Sequence, residues 1–326
     1  MSFRGCSVAI EAEPALHGLL NIFKPSGMTS RDAVDRVVRS LRLRFPKPQR
    51  LPKAGHAGTL DPLAAGVLLV GVGAGVRLVP YLHLLDKDYR AKFRLGESSQ
   101  SGDLETPVTP LQAAAIPTRD ALETAAEGLT GLITQTPPAH SAVKVGGRKA
   151  YRFAHRGQAV EVPSRQVRVD LLKVENYAYP EVELTIRCGT GTYVRTLGID
   201  LAKACRTTAV MTDLVRTRIG GFGLESAVTL DRIEADPEGL EQALLPLALG
   251  VTALATVTLD DEAMTRLCHG VKIDASEAAL EDSPPADDGG REYALLDRRG
   301  SLRVVAELSQ GRFHPRRVFP EITTPR

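Results

Sequence analysis

The sequence predicts a mixed α+β protein of two domains. Its 326 residues, 43% of them hydrophobic, exceed what one compact domain usually needs and can bury a sizeable core. Segments in which apolar residues alternate, as they do in strands, are interspersed with segments in which they recur at helical spacing. Asp231–Gly250 then turns acidic and rich in proline and leucine, which indicates a linking helix or a domain boundary.

The first elements are defined by capping and turn residues. His17–Lys24 is predicted as a short buried strand, because it is mostly apolar and is followed by proline, serine and glycine. A helix follows with Thr29 or Ser30 as its cap, since apolar residues within Ala33–Leu41 recur at helical spacing. Phe45–Lys53 contains three prolines among basic residues and is predicted as a loop.

The elements that follow are predicted from the same two periodicities. Further strands are predicted at Gly66–Gly73, Asp88–Leu95, Gln166–Tyr179, Val182–Cys188 and Val210–Gly220. Further helices are predicted at Arg77–Leu85, Thr118–Gly128 with Thr118 as cap, around Lys149–His155, and at Tyr193–Cys205.

The C-terminal residues predict a small β-rich module. Its strand candidates are Ala253–Leu259, Tyr293–Asp297, Leu302–Leu308 and the region of Val318. The polar segment Asp274–Arg291 carries proline and glycine and is expected to be a mobile loop. We therefore expect an N-terminal extension (1–16), a first domain (17–250) and a second domain (251–326).

The net charge of +2 conceals a strong segregation of charge along the chain. Residues 24–53 hold nine basic and two acidic residues, a net charge of +7. Residues 231–292 hold four basic and 15 acidic residues, a net charge of −11, and residues 293–326 carry +4. Two basic regions separated by an acidic one favour a polyanion footprint. Ordinary solvated charge is the alternative, because runs of this kind are common.

Several classes of site and targeting segment are not indicated. The four cysteines lie far apart without a Cys-x-x-Cys pair, so we expect reduced thiols and no metal site. Gly71, Gly73 and Gly75 follow a strand, but Val76 occupies the third glycine position of a dinucleotide-binding motif. No signal-peptide core or membrane-spanning run is present, which predicts a soluble cytoplasmic protein.

A single polar position interrupts the apolar stretch GHAGTLDPLAAGVLLVGV. Asp61 in this stretch is the sole acidic residue between Asp35 and Asp86. Glycine and alanine on both sides allow a backbone or a ligand to come close, and Pro62 favours an extended backbone at Asp61. By itself the motif is equally compatible with a turn-forming Asp-Pro pair and with a catalytic carboxylate.

Four motifs resemble, in order and separation, those of the tRNA pseudouridine synthase B (TruB) family: HGLLNIFKPSGMTS, GHAGTLDPLAAG, DKDYRAKFRLG and GTGTYVRTLGIDL. The resemblance extends from about His17 to Thr229, and the C-terminal residues are similar to the RNA-binding PUA module of many members. It implies an α+β pseudouridine-synthase catalytic domain with a central, mainly antiparallel sheet, followed by a small β-barrel-like PUA domain. The implied reaction is isomerisation of uridine 55 in the T-loop of tRNA.

The resemblance also implies three catalytic residues. Asp61 matches the catalytic aspartate, which acts at C1′ either as a nucleophile or by stabilising positive charge. Tyr89 matches a tyrosine that stacks on the target uracil and can move a proton, although a half-buried strand tyrosine is the commoner fate of such a residue. Arg195 matches the arginine that pairs with the aspartate and would keep it ionised in an apolar pocket.

Four further residues match substrate-binding positions of the family. His56 matches the histidine that stacks in the space left by the flipped base. Tyr193 and Leu214 match pocket walls, where core packing is the alternative. Lys24 matches the lysine of a Lys-Pro motif and is equally compatible with a structural ion pair.

The family resemblance implies no cofactor and no metal. The expected partner is the T-arm of tRNA, without a membrane or an obligatory protein partner, and the expected state is a monomer. Phosphates would contact the basic segment Arg39–Lys53 and a set of C-terminal arginines, namely Arg298, Arg299, Arg312, Arg316 and Arg317. Two rival hypotheses are a noncatalytic tRNA-binding or tRNA-folding protein and a methyltransferase that acts on the same uridine.

Overall fold

A ten-stranded sheet forms the larger part of the structure, which is a computed structural model. The structure describes residues 16–46, 50–112, 114–138, 144–145, 148–149, 162–276 and 290–320. The strands are β1 (Gly18–Lys24), β2 (Ala54–Ala57), β3 (Ala65–Val72), β4 (Lys87–Leu95), β5 (Glu97–Ser99), β6 (Val108–Pro110), β7 (Gly131–Gln135), β8 (Lys144–Val145), β9 (Arg148–Lys149), β10 (Arg165–Ala178), β11 (Glu181–Cys188), β12 (Ala209–Ile219), β13 (Phe222–Gly223), β14 (Val228–Thr229), β15 (Ala255–Thr258), β16 (Ile273–Asp274), β17 (Glu292–Leu296), β18 (Leu302–Ser309) and β19 (Arg312–Val318). The helices are α1 (Ser30–Arg44), α2 (Val79–Leu82), α3 (Arg119–Gly128), α4 (Val194–Ala204), α5 (Leu230–Ala235) and α6 (Asp261–Cys268), with 3₁₀ turns at Gly73–Leu78, Leu224–Ser226, Gly239–Glu241 and Leu247–Val251.

The large sheet is mainly antiparallel, which confirms the expected fold class. Its strand order is β14-β1-β3-β12-β4-β11-β10-β7, with β2 paired to β3 and β13 paired to β12. Only the β1–β14 and β12–β3 pairs among these are parallel. The parallel contact between β3 and β12 matters for function, because it brings the segment after Asp61 next to residues 215 and 216.

Local residue chemistry accounts for the first helix. Thr29 caps α1: its side chain accepts a hydrogen bond from the backbone N–H of Asp32, and the Asp32 carboxylate accepts one from the Thr29 backbone. Between the two candidate caps, the residue that acts is therefore Thr29. The apolar face of α1 packs on β1 and β3 in one cluster that includes Val37, Leu41 and Leu68.

The glycines of GVGAGV allow close backbone packing and do not form a ligand loop. A Cβ on Gly75 would lie 2.1 Å from the Gly18 carbonyl oxygen, and one on Gly71 would lie 2.5 Å from the Gly75 backbone. Any side chain at these positions would force β1 and β3 away from the turn that follows them. The rejection of a dinucleotide site agrees with this packing role.

A second, five-stranded sheet is formed by the C-terminal residues in the order β15-β17-β18-β19-β16. It shares an apolar cluster with the first sheet, in which Leu78 and Leu82 pack with Val305 and Phe319. Arg77 Nη1 also donates to the Val318 carbonyl at 2.6 Å. The boundary near residue 250 stays a prediction, since the apolar core runs across it.

Two predicted features lie wholly or largely outside the described residues. These are the helix around Lys149–His155, of which only Lys149 is described, and most of the loop Asp274–Arg291. The N-terminal extension is likewise described only at Leu16. Among the described helices, none is long and apolar enough to cross a membrane.

The charge runs of the sequence partly neutralise one another in the fold. Three arginines of α1 form ion pairs with the acidic stretch after β14: Arg36 with Asp231 and Glu234, Arg39 with Glu234, and Arg44 with Glu238 and Glu241. Four carboxylates at the beginning of the acidic stretch therefore pair with arginines of α1. The phosphate-binding role expected for Arg39 and Arg44 is correspondingly weakened.

Candidate active site

Asp61 lies in the loop between β2 and β3, and the neighbouring turn holds this loop in place. Ser30 Oγ donates to the Leu60 carbonyl at 3.1 Å and accepts from the Leu60 N–H at 2.8 Å. Gly27 N donates to the Pro62 carbonyl at 2.8 Å. The loop backbone is thus fixed immediately before and after Asp61, which preorganises the carboxylate.

Arg195 links Asp61 to a second carboxylate. It lies in the first turn of α4, and its Nη2 donates to Asp61 Oδ2 at 2.9 Å. Its Nη1 lies 2.7 Å from Asp103 Oδ2, and the same nitrogen donates to the Ser101 carbonyl at 2.7 Å. The side chains of Arg195 and Asp103 are 4% and 0% exposed, whereas that of Asp61 is 40% exposed. A ligand can therefore reach Asp61 but neither of the groups behind it.

The charges around Asp61 oppose the effect of its burial. Burial raises the pKa of Asp61, Arg195 lowers it, Asp103 raises it again and Lys24 lowers it, with a net upward direction. The expected pair between Asp61 and Arg195 is present in the structure, and Arg195 favours the ionised carboxylate. Asp103 was not anticipated from the sequence, because nothing in its local pattern indicates a contact so distant along the chain.

Tyr89 and Leu214 lie on adjacent strands beside this loop. Leu214 of β12 is paired with Ala91 of β4, and Tyr89 is two residues before Ala91 on the same face. Both side chains belong to the apolar cluster that also contains Leu60 and Ala64 from the Asp61 loop. Burial raises the pKa of Tyr89 above its usual value, so the hydroxyl is neutral near pH 7. The Asp61 carboxylate therefore lies beside a cluster of buried apolar side chains.

Lys24 supports the turn that contacts the Asp61 loop. Its Nζ donates to the carbonyls of Met28 at 2.7 Å and Pro25 at 3.0 Å, and the residue is fully buried. Burial and the charge of Arg216 lower its pKa, whereas Asp61 and Asp32 raise it, and the net result is a pKa of about 8. Among the described residues no carboxylate forms an ion pair with Lys24, so the structural ion pair considered from the sequence is not observed.

His56 lies on the strand before the Asp61 loop, and Tyr193 lies at the beginning of α4. His56 is partly buried on β2, opposite Val70 of β3. Tyr193 is the N-cap residue of α4; its N–H donates to Gln135 Oε1 at 2.7 Å, and its carbonyl accepts from Gln135 Nε2 at 3.1 Å. The guanidinium of Arg165 lies 5.3 Å from the centre of the Tyr193 ring, a cation–π contact. These contacts fix the position of Tyr193 two residues before Arg195.

Replacing Asp103 with asparagine should make Asp61 more acidic. The Asp103 charge raises the pKa of Asp61, so its removal should move the acidic limb of the pH–rate profile to lower pH. Because Arg195 loses a charged partner, the free energy of unfolding should fall by about 2 kcal/mol. A pH–rate profile and a urea titration measure both effects. If the acidic limb of the profile moved to higher pH, the Asp103 charge would not be raising the pKa of Asp61.

The chain is similar to known proteins over nearly its whole length. A family profile described as TruB family pseudouridylate synthase (N terminal domain) matches residues 46–194. The chain is 39% identical to tRNA pseudouridine synthase B of Rhodopirellula baltica, over 93% of this chain and 94% of that protein. It is 36% identical to the protein of the same name from Caulobacter vibrioides, over 94% and 96%.

A comparison with solved structures shows the same fold. The chain in the crystal structure of a Cbf5-Nop10-Gar1 complex superposes with a TM-score of 0.72 and 24% identity, over 94% of this chain and 86% of that chain. The protein of an archaeal box H/ACA sRNP Nop10-Cbf5 complex gives a TM-score of 0.70 at 21% identity, over 95% and 88%. At these identities the likeness concerns the fold alone.

Proposed function

The chain belongs to the TruB family of pseudouridylate synthases, and on that premise we propose that it isomerises uridine to pseudouridine at position 55 in the T-loop of tRNA. The observation that carries the proposal is the reachable Asp61 carboxylate, held by Arg195 beside a cluster of apolar side chains. Relatives at 36–39% identity named tRNA pseudouridine synthase B support the same reaction and the same class of RNA.

The reaction breaks the bond between C1′ and N1, turns the uracil and rejoins it through C5, with no redox change and no net addition of water. The target base must first leave its stack, at a cost of a few kcal/mol. Asp61 then faces C1′ and acts as a nucleophile or as a stabilising anion. The apolar walls formed by Leu60, Tyr89 and Leu214 exclude the water that would divert the reaction to hydrolysis.

The remaining site residues bind and orient the nucleotide in this proposal. Tyr89 stacks on the uracil, and Leu214 and Tyr193 form the walls around it. His56 stacks in the space that the flipped base leaves in the RNA loop. Lys24 acts through the turn that it holds against the Asp61 loop, and Arg195 keeps Asp61 ionised.

The phosphates of the tRNA would contact arginines that remain exposed. In the C-terminal sheet, Arg298 and Arg299 are exposed and line a cavity of about 640 Å³ together with His269 and Arg303. Three other predicted contacts are engaged within the protein: Arg312 with Asp274, Arg316 with Glu307, and Arg317 with Glu292 and Tyr81. We assign the C-terminal RNA contact first to Arg298 and Arg299, which are neighbours in the exposed turn between β17 and β18.

All the proposed catalytic groups come from one chain, so the protein can act as a monomer without an obligatory partner. The site further implies catalysis by protein groups alone, without a cofactor or a metal. Groups of three or more potential metal ligands are absent from the part of the chain that the structure describes. We assign the activity to the cytoplasm, where tRNA is matured.

The proposal is tested on unmodified tRNA transcript without any added methyl donor. Chemical labelling of pseudouridine followed by mapping should show conversion of uridine 55 alone. A transcript with cytidine at position 55 is the matched control and should remain unlabelled. Conversion that requires a methyl donor would favour the methyltransferase, and labelling only outside the T-loop would contradict the assigned position.

A further inference from the structure

Arg216 of β12 is a buried cation that no catalytic motif predicts. It is 1% exposed; Nε donates to the Val67 carbonyl at 2.8 Å and Nη2 to the Gly58 carbonyl at 2.9 Å. Tyr89, its partner across the β12–β4 ladder, is buried as well, so the two side chains lie beside each other in the interior. Within the described residues no carboxylate forms an ion pair with it. A buried charge without a counter-ion is costly and is retained where it has a function.

The fold is built around the backbone of Arg216. A Cβ on Gly66, which has a φ of +113°, would lie 2.2 Å from the Arg216 carbonyl oxygen. The glycine thus lets β3 approach β12 at the end of the Asp61 loop. Through the Gly58 carbonyl the guanidinium also holds the start of this loop, and through Tyr89 it holds the proposed stacking surface.

The site therefore has two electrostatic sides. On one side a single cation, Arg195, lies between the carboxylates of Asp61 and Asp103, which leaves a negative charge. On the other side Arg216 is unneutralised, and it adds to the effect of burial in lowering the pKa values of Lys24 and Lys87, each to about 8. Tyr89 is the cross-strand partner of Arg216 and shares an apolar cluster with Leu60 and Ala64 of the Asp61 loop.

We propose that Arg216 is a positioning residue of the isomerisation, which holds Tyr89 against the uracil and stabilises the negative charge that the base acquires when it leaves C1′. The inference rests on the proposed function. When the C1′–N1 bond breaks, both electrons stay on N1, so the uracil becomes negative and the sugar positive. Asp61 faces the positive sugar and Arg216 lies behind the negative base. C5 then bonds to C1′ and loses its proton while N1 gains one, so the product is an isomer.

This arrangement is the form of catalysis in which fixed charges face the charges that develop in the transition state. The guanidinium is already desolvated and oriented by two carbonyls, so it does not reorganise during the reaction. The buried ring of Tyr89 is its partner across the β12–β4 ladder, so the ring packs next to a charge whose position is fixed. Arg216→Gln removes the charge and the guanidinium that packs beside Tyr89. Arg216→Lys retains the charge but lacks the planar set of N–H donors of a guanidinium.

The test compares Arg216→Gln and Arg216→Lys with Arg218→Gln. Arg218 lies two residues further along β12 and pairs with Asp88, so it is the matched control. At saturating enzyme, we expect the single-turnover rate on unmodified tRNA to fall about 100-fold in Arg216→Gln and less in Arg216→Lys. The control should stay within a few-fold of the unsubstituted protein, and tRNA affinity should be unchanged in all three variants.

A second substrate separates electrostatic assistance from a structural defect. In tRNA with 5-fluorouridine at position 55, fluorine stabilises the departing base, so the loss of Arg216 should matter less. The rate is followed as the disappearance of N-linked 5-fluorouridine from nuclease digests. The rate of the unsubstituted protein divided by that of Arg216→Gln should be at least severalfold smaller on the 5-fluorouridine tRNA than on the uridine tRNA. An equal ratio on both substrates, or a full rate in Arg216→Gln, overturns the inference.

Thermal unfolding is recorded for each variant. If Arg216→Gln does not fold, Arg216→Lys is used for the same two-substrate comparison, with the same criterion. Failure of the unsubstituted protein to form pseudouridine would instead refute the proposed function, so the two failures are distinguishable.

Discussion

Replacing Asp61 with asparagine should abolish pseudouridine formation, lowering the single-turnover rate by at least about 10⁴-fold. The amide is neither a nucleophile nor an anion, so it can neither attack C1′ nor stabilise positive charge there. It keeps the shape of the carboxylate and can still accept a hydrogen bond from Arg195, which also retains Asp103. The fold and the affinity for tRNA should therefore be preserved.

The measurement is a single-turnover assay at saturating enzyme, with tRNA affinity determined separately. Asp200→Asn is a suitable control, because Asp200 lies on the same helix as Arg195 and pairs only with the exposed Lys203. Its rate should match that of the unsubstituted protein. Full activity in Asp61→Asn would refute a catalytic role for Asp61, and binding of tRNA without any product by the unsubstituted protein would favour the noncatalytic rival.

Replacing Arg195 with methionine should both slow the reaction and shift its pH dependence. Arg195 lowers the pKa of Asp61, so its removal should raise that pKa and leave less of the ionised form at any given pH. The acidic limb of the rate profile should move to higher pH. At neutral pH the rate should fall by roughly 100-fold or more, since a preorganised charge is lost beside the reacting atoms.

The same substitution should be strongly destabilising. Asp103, with a fully buried side chain, would lose its cation, and breaking a buried pair in this way costs about 3–5 kcal/mol. Arg195→Lys retains the charge, but a single ammonium group cannot bind both carboxylates as a guanidinium does. Its free energy of unfolding and its reaction rate should therefore lie between those of the unsubstituted protein and Arg195→Met. The test is the pH–rate profile of the unsubstituted protein, Arg195→Met and Arg195→Lys, each recorded over the pH range in which that protein is folded. An acidic limb that does not move would show that Arg195 does not control Asp61.

Local patterns predicted most of the regular elements. The Thr29 cap and the apolar repeat of α1 act within a few residues, and so does the turn between β10 and β11. Helix α6 was missed although its local pattern was present: Asp260 caps it, and acidic residues occupy its first turn. Its shortness, within a region already assigned to strands, obscured it.

The site could be predicted only where a motif carried it. Asp61 and Arg195 were found through the family resemblance, and the structure shows the ion pair between them. Asp103 and Arg216 were not found, because their roles depend on contacts formed only in the folded chain. Arg216 donates to a carbonyl 158 residues away, and within β12 it is one of several alternating residues. Sequence periodicity indicates on which face of a strand a residue lies, but not which residues of the folded chain contact it there.

The charge map shows the same limit on a larger scale. Two runs of opposite sign suggested separate surfaces, yet Arg36 and Arg44 meet the acidic run in the fold. Net charge over a segment does not distinguish an arginine that is available to RNA from one already paired. Only the pairing of α1 with α5 and the turn after it decides this.

The apolar cluster that joins the two sheets also determines when the protein can fold during its synthesis. Leu19, near the beginning of β1, and Phe319, after the last strand, belong to the same cluster. On the ribosome, β1 emerges among the first elements, but its packing is complete only after nearly the whole chain has followed. Contacts this far apart along the chain slow folding and keep apolar strands exposed in the meantime. The apolar side of β1 is therefore incompletely covered until Phe319 has been synthesised.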